Sequence, residues 1–180
     1  MIQSFKYVVF TCVAVVITFV LHEFAHWDTG QFLGYDMIMT LNTVSPAKGS
    51  YDTDWHYTLI SFMGPITTLI QAFMVFLLIR YNHNKNFYPL LFVCFYIEVL
   101  AGVMNLINPN DLGRISMAFG LPLLTLPILF ITLQGVLLFK TTKREGYDMK
   151  FVGLVFFSTI LFSSIWILMN NAHHIILIGS

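Results

Sequence analysis

Apolar residues fall along the chain in five blocks, 5–27, 57–79, 87–107, 117–139 and 151–169, and the second, fourth and fifth contain no Asp, Glu, Lys or Arg. A helix needs roughly 20 such residues to cross a hydrocarbon layer about 30 Å thick. The pattern therefore predicts an all-α membrane protein of five transmembrane helices, forming a single domain over 1–180. The first block ends in His22-Glu23 with no small-x-small cleavage pattern behind it, so it is expected to be retained as a span. Within the longest connection, 28–56, an extended chain through 35–42 puts Met37, Met39 and Leu41 on one face. That period predicts a short surface strand or hairpin after the first helix.

Composition sharpens the class. Hydrophobic residues make up 57% of the chain and charged residues 10%, with a mean hydropathy of +0.77. Soluble domains carry about 25% charged residues, so a soluble globular domain is excluded. Nine Lys plus Arg balance nine Asp plus Glu, which leaves no basic surface for nucleic acid. Cys12 and Cys94 both lie inside apolar blocks and read as small hydrophobes.

The charges also predict orientation. Lys6, Arg80, Lys85, Lys140, Lys143, Arg144 and Lys150 fall on the amino-terminal side of the membrane, against Lys48 and Arg114 on the other. Because positive residues stay inside, seven against two places the N-terminus in the cytoplasm, as in a bacterial cytoplasmic membrane, and the C-terminus outside. Tyr7, Trp27, Trp55, Tyr57, Tyr81 and Tyr88 sit near span ends and are expected at the interfaces, with Arg114 anchored among headgroups.

Candidate chemistry begins at His22-Glu23-Phe24-Ala25-His26, an H-E-x-x-H pattern on a helix. Residues at i and i+4 share a face, so both imidazoles can hold one Zn²⁺ while Glu23 stands beside them as a general base. At this composition the pattern arises by chance in roughly one sequence in three hundred. A catalytic zinc takes three protein ligands, so a third must come from elsewhere. Asp111 is the leading candidate, in Asn105-Leu106-Ile107-Asn108-Pro109-Asn110-Asp111, where Pro109 is expected to break the third helix and turn the carboxylate back. His56, His173, His174 and Glu98 are the rivals. Glu98 is expected to lie too deep, with about 20 Å of helix rise between it and Asp111.

Depth arithmetic brings three signals to one layer. Fifteen residues from Tyr7 to His22 rise roughly 22 Å, which leaves the histidines about 8 Å below the outer boundary. The second helix runs inward, and its Gly64-Pro65 pair lies about 10 Å down. Gly64 permits close approach and Pro65 strips the Ser61 carbonyl of its helical donor, which predicts a polar notch beside the metal, with Thr68 close by.

With these residues together, the chain resembles the site-2 protease family of intramembrane zinc metalloproteases. His22, Glu23 and His26 match its first motif; Ser61 to Leu69 (SFMGPITTL) resembles its Gly-Pro-x-x-Asn motif, with Thr68 in the Asn position; Asn105 to Ile115 (NLINPNDLGRI) resembles its Asn/Pro-rich stretch ending in Asp-Gly, with Leu112 between Asp111 and Gly113. The resemblance covers 5–115, a three-helix catalytic core, and leaves 116–180 as two additional helices. It implies a Zn²⁺ enzyme that cuts a transmembrane segment of another membrane protein, with Gly64, Pro65, Thr68, Asn105 and Asn108 lining the substrate site. Segment 35–42 is expected to hold the unwound substrate by strand addition. A metal-binding membrane transporter or sensor would use the same histidines without hydrolysis, but would have no need of a base at Glu23.

Overall fold

A computed structural model describes residues 2–179. Helix α1 (Ile2–Phe32) is followed by strands β1 (Met37–Thr40) and β2 (Val44–Pro46), then helices α2 (Asp54–Asn82), α3 (Tyr88–Met104), α4 (Asp111–Ala118), α5 (Thr125–Arg144) and α6 (Met149–His173), and strand β3 (Ile176–Ile178). All of these helices except α4 are long and apolar enough to cross a membrane, so the chain is an all-α, multi-pass membrane protein. α1 is packed against α2, α3 and α6, and α3 is clasped between α1, α2 and α5.

The burial pattern suits lipid as solvent. In α5 the buried stripe is Pro127, Phe130, Gln134, Leu138 and Thr141, spaced three and four apart, while Ile128, Leu133, Val136 and Phe139 face outward. In α6 the inward positions include Ser158, Thr159, Ser163 and Asn170, while Phe157 and Leu161 are exposed. Polar and small residues turn inward because lipid satisfies apolar side chains but no hydrogen bond. Gly102 of α3 lies so close to α5 that an added Cβ would stand 2.7 Å from Ile131 Cδ1.

Helix ends follow local chemistry. Thr53 caps α2 by accepting from the His56 N–H, and Asp148 caps α6 by accepting from the Phe151 N–H at 2.7 Å. α1 ends at a glycine turn, Gly34 at φ 90°, from which the chain doubles back into β1. Gly30 makes room for that return: its Cβ would fall 2.6 Å from Met37 Cγ.

The expected surface strand is present, with Met37, Met39 and Leu41 all buried. β1 pairs antiparallel with β2, Met37 opposite Pro46, and on its other side with β3. The β3 pairing, which joins the C-terminal segment to the first loop, has no local signature in the sequence. It also corrects the expectation for segment 35–42: both edges of β1 are taken, and the outer edges of the sheet belong to β2 and β3.

Three further expectations are corrected. The third helix ends at Met104, ahead of Pro109, because Asn105 stops it: its amide donates to the Ala101 carbonyl at 2.9 Å and its oxygen accepts from the Asn110 N–H at 2.6 Å. The block beginning at 117 is not one helix. The amphipathic α4 comes first, and the fourth long helix, α5, starts only at Thr125, after a turn through Gly120 and Pro122. Of the aromatics, Trp55 and Tyr81 are exposed at helix ends, but Tyr88 is buried and bonded to Thr142, and the Trp27 indole donates to the Met37 carbonyl at 3.0 Å.

Candidate metal centre

His22 and His26 stand one turn apart near the end of α1, their rings 4.9 Å apart and nearly edge to face. Asp111 is the first residue of α4, delivered there by the fold-back at Asn105. Gly113 completes that fold-back, since a side chain on it would strike the Asn105 oxygen. Asp111 Oδ2 comes within 3.5 Å of Nε2 of both histidines, and all three groups are withdrawn from solvent.

The outward nitrogens are held in place. His22 Nδ1 lies 2.9 Å from the Thr68 hydroxyl, which itself donates to the Gly64 carbonyl, and His26 Nδ1 lies 2.6 Å from the Ile60 carbonyl. Both contacts come from α2 and leave each Nε2 pointing at Asp111. Outer partners of this kind fix the tautomer and ring plane of a metal-binding histidine. The notch thus works through the Ile60 carbonyl, one residue before the Ser61 carbonyl expected from the sequence. Gly64 is required by contact: an added Cβ would sit 2.7 Å from His22 Nε2 and collide with His26 Nε2. Two imidazoles and a carboxylate, ligand atoms within 4.8 Å of one another, form a donor set that can hold a metal ion.

Glu23 is buried beside this group and lines a cavity of about 570 Å³ together with His22, His26 and Asp111. The opposite wall is the β1–β2 turn and β2, and the sides are Tyr51, Tyr57 and the apolar upper part of α3. Tyr51 and Tyr57 stack with ring centroids 5.1 Å apart. Burial pushes the Tyr51 phenol up to about 12, so it remains a hydrogen-bond donor at neutral pH.

The remaining candidates separate clearly. Pro65 and Asn105 border a second, much smaller chamber shared by His22, Glu98 and Asp111. Glu98 is therefore not remote from the metal group: the rise calculation assumed an unbroken helix, and the fold-back at Asn105 returns Asp111 toward it. Its Oε1 is buried without a partner among the described residues. Asn108 is exposed and lines neither chamber. His56 is bonded to the Tyr35 hydroxyl at 2.7 Å, and His173 and His174 are exposed at the end of α6.

Arg114, like Glu98, was misplaced by sequence reasoning. It is not a headgroup anchor: its Nη2 donates to Asp111 Oδ1 at 2.8 Å, its guanidinium lies 4.9 Å from the centre of the Tyr57 ring, and it lines the large cavity. The i,i+3 spacing from Asp111, on a helix starting at Asp111, is the signal that could have found it. No protein-family model, curated protein or solved structure matches this chain.

Proposed function

We propose that this chain is a membrane-embedded zinc metalloendopeptidase that hydrolyses a peptide bond in or near a transmembrane segment of a protein substrate. The observation carrying this reading is the convergence of His22 Nε2, His26 Nε2 and Asp111 Oδ2 at a cavity that also receives Glu23. Bound there, Zn²⁺ would supply Lewis acidity toward a water and the scissile carbonyl. Glu23 takes a proton from the attacking water and hands it to the leaving amine. Thr68 and the Ile60 carbonyl keep the imidazoles in register through the cycle. The open edge of β2, with Val44, Ser45 and Pro46 on the cavity, suits a substrate stretch that has left its helix and needs backbone partners. A transporter or sensor has no use for a buried carboxylate next to its ligands, so Glu23 favours hydrolysis.

Glu23→Gln decides between them. Zinc content should be retained while cleavage of a reconstituted transmembrane substrate falls at least about 10²-fold. Unchanged turnover removes the mechanism, and loss of zinc would make Glu23 a ligand.

The orientation belongs to the same proposal, with the metal centre toward the exoplasmic side. Cysteines placed at Ser50 and Lys143 in a chain lacking Cys12 and Cys94 should react oppositely with an impermeant thiol reagent, position 50 from outside. Labelling of position 143 from outside inverts the arrangement.

A further inference from the structure

Amide hydrolysis puts negative charge on the scissile carbonyl oxygen as the water oxygen adds, and a site accelerates the step by meeting that charge with donors fixed beforehand. Thr68, expected to face substrate, is committed elsewhere: its hydroxyl is shared between His22 Nδ1 and the Gly64 carbonyl. Asn105 is spent on the α3–α4 turn, its amide donating to the Ala101 carbonyl and its oxygen accepting from the Asn110 N–H. Arg114 is the only Lys or Arg on the cavity wall among the described residues. One arm of its fork holds Asp111 Oδ1, the oxygen turned away from the histidines, so the guanidinium stands one carboxylate away from the metal position. Its Nε is buried with no partner among the described residues, and the Tyr57 ring beneath fixes the plane.

Resting on the protease reading, we infer that Arg114 is a catalytic residue, whose guanidinium stabilises the oxyanion on the scissile carbonyl while its other arm retains Asp111. As the water oxygen bonds to the carbonyl carbon, Glu23 takes the proton and the π pair moves to the carbonyl oxygen, where Arg114 meets it. Collapse restores the C=O bond and breaks the C–N bond, and the proton passes from Glu23 to the departing nitrogen. A planar, always charged fork that binds two oxygens at once is suited to this double duty, and a lysine is not.

The test uses the full-length, zinc-loaded protein in detergent with a Leu-Ala peptide and its phosphinic counterpart, in which a tetrahedral phosphorus replaces the amide carbon. In Arg114→Gln, kcat should fall about 10²-fold with KM nearly unchanged, and phosphinic binding should weaken by a similar factor. Binding of the amide peptide, read on a Glu23→Gln background, should be unaffected, and zinc affinity measured by chelator competition should stay within about threefold, below what lost outer-shell support usually costs. Arg114→Lys, which keeps a charge beside Asp111, should retain zinc fully and still lose most of the preference for the tetrahedral ligand; it decides the matter if Arg114→Gln does not fold. Zinc affinity falling in step with activity in both variants would make Arg114 a positioning residue for Asp111 and overturn the inference. So would an equal loss of both ligands. A wild-type protein that holds zinc but neither cuts the peptide nor prefers the phosphinic ligand would overturn the protease reading itself, and this inference with it.

Discussion

The two ends of the helix bundle solve the problem of burying polar groups in opposite ways. At the end away from the metal group, Tyr7, Tyr88, Tyr147 and Phe151 pack edge to face, with Tyr7 and Phe151 centroids 4.8 Å apart and Tyr88 and Tyr147 4.9 Å apart. Lys85 caps the cluster with its Nζ 3.9 Å from the Phe151 ring centre, and the Tyr88 hydroxyl is bonded to Thr142. The polar atoms there are single hydroxyls on aromatic rings, and the Tyr147 hydroxyl is buried with no partner among the described residues. At the other end the same helices diverge around a cavity of about 570 Å³, and the polar atoms face one another instead. The β1–β2 turn is tied to the end of α6 beside it: the Trp166 indole donates to the Leu41 carbonyl at 2.8 Å, and the Asn170 amide is bonded to Asn42. The lesson is that one end is closed by densely packed side chains, whereas the end with the cavity is braced across by hydrogen bonds from α6 to the first loop.

The comparison breaks most severely at Asp111. Asp111→Asn should weaken zinc binding by more than the roughly 10–100-fold that loss of an outer-shell partner costs, and abolish activity with it, while His173→Ala combined with His174→Ala should change neither. Competition against a chelator reads both; a necessary histidine pair with a dispensable Asp111 would mean a different third ligand. Gly64→Ala comes next. Its Cβ has nowhere to go but into the two imidazoles, so zinc affinity should fall roughly 10–100-fold with the helical content preserved in circular dichroism. Unaltered affinity would show that α1 and α2 can separate there at no cost. The smallest effect belongs to the packed end, where Tyr88→Phe removes the Thr142 hydrogen bond and should cost about 1 kcal/mol in reversible unfolding, leaving zinc affinity untouched. A change in metal binding would show that the two ends are mechanically coupled.

Much of the site was legible because it is local. His22, Glu23 and His26 lie within one turn and a half of one helix, where spacing alone sets the face, and Met37 and Met39 share a side of β1 because a strand alternates, with Leu41 buried just beyond its end. Asp111 was reachable by counting residues along helices. Arg114 was misread because a lone basic residue near a span end has the same sequence appearance whether it meets headgroups or a carboxylate one helical turn away. Glu98 was set too far off because rise arithmetic holds only while a helix continues, and Asn105 ends it through bonds to Ala101 and Asn110.

By itself, then, the sequence determined the solvent in which this chain lives, the spans, and the pair of histidines with their neighbouring glutamate, since each follows from composition or from a period of a few residues. Tertiary structure decided which carbonyl holds His26, that Thr68 serves His22, that β1 lies between β2 and a strand more than 130 residues away, and that Arg114 joins Asp111 at the cavity. Those outcomes depend on which helix faces meet, a property of the assembled bundle rather than of any window along the chain.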